Sequence, residues 1–360
     1  MIYLSIFIFY IFGTLSIEKK YFGKFCLLCI LSAITLLPFF VGINSERADF
    51  IPYLQFFQKS EDLFSDNFFE YAKNQHTEIG YNYFQALCKA LFGSASIFFI
   101  LLCFVSFLFR LGFYRKFVSM QDMILCFLAF FSHEFLRKDC VQIRNGFASA
   151  IVLFSLFYLF KGSRIKFILT VLLASTFQTT ALVALPLIIA RTDFSRKYFT
   201  FLKILFAFAF FVSIFFPIKR LLYMTEGFGL LPSSIINYLY WSEYAKSMSL
   251  FNPQILRQVF IVSFFFLNSR KFFQNKKIFF LFQIYLVSTV YYLVFRDFEI
   301  LAGRFGSLFY AVETPLVLLA INDSKKQISI KKIFLMIFYA LFLILNFLTY
   351  ESLGFKATFY

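Results

Sequence analysis

Apolar positions along this chain gather into runs instead of alternating with polar ones. The runs cover 2–17, 25–42, 95–113, 118–135, 141–160, 167–190, 201–217, 255–267, 278–295, 305–321 and 333–350. Most approach the roughly 20 residues that carry an α-helix across a hydrocarbon core. Several are shorter, which predicts that some helices are tilted, broken or shielded by neighbours. The pattern predicts an all-α, polytopic helical membrane protein with about 10–12 transmembrane or half-membrane helices. With no internal repeat and no low-complexity linker, residues 1–360 read as a single integral membrane domain, with outer-face loops near 43–94 and 218–254.

Composition strengthens this picture. Of 360 residues, 61% are hydrophobic, including 62 Phe and 21 Tyr, and mean hydropathy is +0.77. A soluble core cannot hide that much apolar surface, whereas a bilayer accepts it. The net charge of +16 would suggest nucleic acid, but the cations sit in short clusters between apolar runs. Cytoplasmic loops that fix orientation explain them more simply, and no nucleic-acid partner is expected. The first apolar run follows Met1 with no basic region before it, so a cleaved signal is not expected.

Lys and Arg in the short loops set the orientation. Lys19, Lys20 and Lys24 place the N-terminus outside. Arg110, Arg115 and Lys116 then fall inside, as do Lys161, Arg164 and Lys166, then Arg270, Lys271, Lys276 and Lys277, and last Lys325, Lys326, Lys331 and Lys332. One segment resists alternation. A single crossing by 167–190 would put Arg191, Arg196, Lys197 and Lys203 outside. Two short half-helices that enter from the cytoplasm and turn near Gln178 keep them inside, and leave Gln178 facing a cavity.

Four unlike pieces then reach the outside. The first is an acidic loop, 43–78, with Arg47, Asp49, Tyr53 and Glu78, running into the amphipathic stretch 79–93, which reads as an interfacial or re-entrant helix. The second is 133–144, with Glu134, Arg137, Lys138, Asp139 and Arg144. The third is 219–253, with Trp241 and Glu243. The fourth carries Arg296, Asp297, Glu299 and Arg304.

Guanidinium groups hold phosphate through fixed, permanently charged donors. A set of them beside a cavity open to lipid suggests a pyrophosphate on a lipid carrier. Arg144 stands out, since it opens an apolar run that also contains small residues at Gly146, Ala148, Ser149 and Ala150. The alternative for such cations is snorkelling to a membrane surface. A nearby carboxylate or imidazole would take the proton of an attacking sugar hydroxyl.

Other chemistries lack their signatures. There is no P-loop and no zincin HExxH, and no Asp-X-Asp pair of the kind that holds a metal-bound nucleotide sugar. Cys26 and Cys29 match a metal or redox pair by count only, without companion ligands. His76 and His133 lie far apart without partners. No metal and no cofactor are expected.

Five segments, in order, resemble the EpsG family of bacterial membrane proteins, grouped with the Wzy-type polymerases of O-antigen, capsule and exopolysaccharide. They are ERADFIPYLQFF (46–57), TEIGYNYFQAL (77–87), VQIRNGFASAIVLFSLFYL (141–159), LLASTFQTTALVALPL (172–187) and AGRFGSLFYAVETPL (302–316). The resemblance implies a metal-independent glycosyltransferase in the bacterial cytoplasmic membrane. Its substrate would be oligosaccharide repeat units on undecaprenyl pyrophosphate, joined at the outer face, and a flippase and a chain-length regulator would be its partners. Arg47 and Asp49 would belong to the first motif, Glu78 and Gly80 to the second, Arg144 to the third and Arg304 to the fifth. Where the family has His, this chain has Gln178, which hydrogen-bonds but is no base at neutral pH. The expected catalytic residues are therefore Arg144, Arg304 and Glu78, with Arg47, Asp49, Tyr53, Arg137, Gln178 and Arg296 binding substrate. The rival reading is a flippase or transporter of lipid-linked sugars, which would show paired halves with broken helices.

Overall fold

The computed structural model describes residues 19–43, 49–61, 63–75, 77–226, 246–321, 332, 334–341 and 344. Arg47, His76, Trp241 and Glu243 lie outside the described residues. The fold is all-α, and the chain forms two compact units, residues 1–182 with 317–360, and 183–316. Among the described residues four helices are long and apolar enough to cross a membrane, or five if one bent helix pair is counted as a single span.

Unit 1 contains α1 (Lys19–Ile43), α2 (Phe50–Lys59), α3 (Phe68–Asn74), α4 (Ile79–Phe92), α5 (Ala95–Phe117), α6 (Met120–Phe130), a π-helix (Phe131–Val141), α7 (Ile143–Phe160) and α8 (Arg164–Ser175). Local chemistry sets their ends. Ser119 starts α6 by accepting from the Asp122 N–H at 3.2 Å while its hydroxyl donates to the Asp122 carboxylate at 2.9 Å, a reciprocal cap. Gly93 stops α4 at φ +63°, a left-handed conformation that costs glycine little. Helix α4 is inverted for a soluble protein. Ile79, Tyr83, Leu87 and Leu91 are exposed one turn apart, while Asn82 and Gln85 are buried. An apolar outer stripe of this kind suits contact with lipid.

The basic clusters of unit 1 meet at one end. Phe117 packs on Phe160 at 5.2 Å, Lys116 lies 4.9 Å from the Phe157 ring centroid, and Lys332 pairs with Asp122 at 2.6 Å. Arg144 begins the other end of α7, about 27 Å away for a helix of 18 residues.

Two expectations are corrected here. Arg110 is not a loop cation. It sits inside α5 at 2% exposure, and its guanidinium donates to Asp139 at 3.2 Å, to the Gly146 carbonyl at 3.1 Å and to the Ser106 hydroxyl. Residues 133–141 are not an outer loop either. They belong to a π-helix that continues α6 and buries Glu134, Lys138 and Asp139. The reason is mutual: Arg110 and Asp139 each supply the counter-charge that lets the other leave water.

Unit 2 holds most of a 3-10 helix (Thr179–Ile189), α9 (Arg196–Phe215), α10 (Ile218–Glu226), α11 (Pro253–Leu267), α12 (Ser269–Phe272), α13 (Lys276–Val294), α14 (Glu299–Gly306), a 3-10 turn (Tyr310–Val312) and the start of α15 (Glu313–Ile321). Its basic loops also gather at one end. Lys276 donates to Asp193 at 2.7 Å and holds that exposed carboxyl below the usual carboxylate range. The expected break at Gln178 is present: α8 stops at Ser175 and the 3-10 helix begins at Thr179. Neither half is long enough to cross alone.

Candidate functional site

The site in unit 1 is assembled from four segments that the sequence keeps far apart. Arg144 projects from the first turn of α7, and its Nη1 donates to Glu78 Oε2 at 2.6 Å. Glu78 sits just before α4 in an extended conformation. Its second oxygen accepts from the Thr179 N–H at 2.9 Å and from the Thr179 hydroxyl at 3.3 Å. One carboxylate therefore ties the start of α7 to the turn that carries Gln178, across 66 and 101 residues of sequence.

Aromatic rings form the other wall. The Arg144 guanidinium lies 5.7 Å from the centre of the Tyr81 ring, and the Tyr53 oxygen accepts from the same guanidinium. Tyr81 in turn packs on Tyr53 at 6.3 Å and edge-on to Phe98 at 5.6 Å. This ring wall restricts the directions in which Arg144 can present its donors.

Backbone contacts hold the turn in place. The Gly80 and Tyr81 N–H groups both donate to the Thr176 carbonyl, at 2.8 and 3.2 Å. A Cβ on Gly80 would lie 2.9 Å from that same oxygen and closer still to the Thr176 side chain. This explains a glycine where a helix would favour alanine. Gly80→Val is expected to destabilise the protein by about 1–3 kcal/mol through overpacking, read as a lower midpoint of thermal unfolding in detergent. An unchanged midpoint would show that the turn does not depend on this close approach.

Of the residues expected at the site, Tyr53, Glu78, Arg144 and the Gln178 turn come together in unit 1. Tyr53 is buried and Gln178 half-buried. Asp49 immediately precedes α2, and Arg137 is half-buried in the π-helix. Arg304 is half-buried on α14 of unit 2. Arg296, in the same unit, donates to the carbonyls of Ser213 at 2.8 Å and Met248 at 3.4 Å. Thr176 and Thr179 were missed. Their signal was the run of hydroxyl residues around Gln178, Ser175–Thr176 before it and Thr179–Thr180 after it, which supplies hydrogen bonds where helical backbone stops.

Arg144 and Glu78 are 23% and 15% exposed, so the pair is sheltered yet reachable. The arrangement offers a fixed guanidinium for an anion. Its carboxylate partner is released if the anion takes its place.

A family model described as the EpsG family matches residues 27–358. No curated protein and no solved structure matches the chain.

Proposed function

Because the chain belongs to the EpsG family, whose members are Wzy-like polysaccharide polymerases in general, we propose that it joins oligosaccharide repeat units carried on undecaprenyl pyrophosphate at the outer face of the bacterial cytoplasmic membrane. The single observation that carries this reading is the Arg144–Glu78 pair, held against Thr179 by Glu78's second oxygen. Arg144 binds the donor pyrophosphate and in doing so lets go of Glu78 Oε2. Glu78, still fixed by Thr179, then accepts the proton of the acceptor hydroxyl.

In the bond-making step that hydroxyl oxygen attacks the anomeric carbon of the donor sugar. The bond from that carbon to the phosphate oxygen breaks, and lipid pyrophosphate leaves with the electron pair. Negative charge grows on the leaving phosphate, where a preorganised guanidinium is worth most. Tyr53 and Tyr81 keep Arg144 aimed, and Gln178 is assigned a hydrogen bond to sugar or phosphate. Arg47, Asp49 and Arg137 are assigned to contacts with the glycan. Arg304 and Arg296 are assigned to anionic substrate groups in unit 2.

The test is purified protein in detergent with lipid-linked single repeats. Glycans that grow by whole repeats are expected. Unchanged glycans, together with transfer of the lipid-linked repeat across a vesicle bilayer, would replace the polymerase by a flippase.

A further inference from the structure

Unit 2 contains a polar stripe that hydropathy hides, because Arg257 and Glu313 fall inside the apolar runs 255–267 and 305–321. On α11 the stripe is Gln254, Arg257 and Gln258, whose spacings of three and four put them on one face. On α13 it is Tyr285 and Ser288. The third side is the break between α14 and α15, where the helical pieces meet at a 45° bend and where Ser307, Tyr310 and Glu313 lie.

Most of these groups fall into two polar sets, one around Glu313 and one that runs from Gln258 to the Gly306 carbonyl. The Tyr285 hydroxyl donates to Glu313 Oε2 at 2.6 Å and the Tyr310 hydroxyl to Oε1 at 3.3 Å. Arg257 approaches the same carboxylate at 3.6 Å and lies 4.7 Å from the Tyr310 ring centroid. Gln258 Nε2 donates to the Ser288 hydroxyl at 3.5 Å, and that hydroxyl donates to the Gly306 carbonyl at 2.8 Å. The stripe therefore reaches the break itself.

Stability does not account for such a set, since a buried ion pair can often be replaced by apolar residues without loss. Ionisable groups and interrupted helices within a membrane domain instead mark places where something polar is bound. Three side-chain atoms retain unmet capacity there: Gln258 Oε1, on a residue 0% exposed, Ser307 Oγ, on a residue 2% exposed, and Nε2 of the half-buried Gln254 have no hydrogen-bond partner. Charge then selects the class of ligand. Both Glu313 oxygens are held by tyrosine hydroxyls and the residue is 3% exposed, so its carboxylate stays beside Arg257 and repels a phosphate. An uncharged ligand with many hydroxyls finds amide, alcohol, phenol and carboxylate groups to meet it.

We infer that this stripe is a carbohydrate subsite, which holds hydroxyl groups of the oligosaccharide while the pyrophosphate is bound by other residues. The identity of the sugar-bearing ligand rests on the polymerase reading, so the experiment measures binding apart from polymerisation. Full-length protein in lipid nanodiscs is titrated with two probes: the repeat oligosaccharide freed from its lipid by mild acid, and inorganic pyrophosphate. Gln258→Leu and Ser307→Ala are each expected to weaken oligosaccharide binding about tenfold, the effect of one hydrogen bond to an uncharged ligand, and to leave pyrophosphate binding unchanged. Ser307→Ala removes a single oxygen, so the test survives a folding defect in Gln258→Leu.

Wild-type affinity for the oligosaccharide in both variants overturns the inference, and so does a change confined to pyrophosphate or to the thermal midpoint. A wild-type protein that does not bind the oligosaccharide overturns it as well. A protein that binds the oligosaccharide but never lengthens it would instead remove the polymerase reading and leave the subsite in place.

Discussion

Arg144→Ala is expected to lower the polymerisation rate by about 10²–10³, the loss typical when one preorganised donor to a developing anion is removed. In cells, long-chain polymer should disappear and single lipid-linked repeats should accumulate. The size follows from geometry. Arg144 is aimed by Tyr81 and Tyr53, which stay in place when the phosphate takes the position of Glu78 Oε2, so the guanidinium itself reorganises little. Arg144→Lys keeps the charge but not the planar fork of donors, and should fall between wild type and alanine. Glu78→Gln keeps the hydrogen bonds that an amide oxygen can accept but takes up no proton, so it should bind lipid-linked repeats and turn them over slowly. Polymer of normal length in Arg144→Ala, at matched membrane abundance, would remove Arg144 from the chemistry.

Arg110→Ala is the second large effect, and it acts on stability. Asp139 is 3% exposed, and its Oδ1 accepts from both Arg110 and the Ser106 hydroxyl, the latter at 2.8 Å. Removing the guanidinium leaves that charge buried without its partner, at a cost of about 3–5 kcal/mol. The same guanidinium holds the Gly146 carbonyl at 3.1 Å and lies 4.1 Å from the centre of the Phe130 ring. Its loss therefore also loosens the first turns of α7, from which Arg144 projects. The paired replacement Arg110→Leu with Asp139→Leu removes both charges and should recover most of the stability. Membrane abundance and the thermal midpoint in detergent read out both variants. A midpoint for Arg110→Ala equal to that of wild type would mean the pair contributes nothing.

Charge along the chain marks the break near Gln178 and misleads at Arg110. The break near Gln178 was legible because the expectation that basic loops share one side asks for a turn there, a reading carried by charge counts alone. Arg110 was misplaced by the same logic. It lies three residues before the end of a run, where a cation usually reaches water, and nothing nearby in sequence announces a carboxylate 29 residues further on. Arg257 and Glu313 escaped notice for a related reason: one charge barely changes the mean hydropathy of a long apolar run.

Glu78 makes the same point at the site. Its residue type and its place before an amphipathic stretch marked it as a candidate, but its bond to Thr179 spans 101 residues. The two hydroxyl residues that hold the turn were visible only as composition.

Helix class, the approximate positions of the spans and the gathering of basic loops were already decided by local hydropathy and charge. Transfer of a side chain into lipid is close to additive over about 20 residues, so a running sum recovers it without knowledge of neighbours. Which carboxylate meets which guanidinium was decided only when the helices packed. An ion pair depends on a separation of a few ångströms, and in a chain of crossing helices that separation is a property of the packing, to which distance along the sequence is no guide.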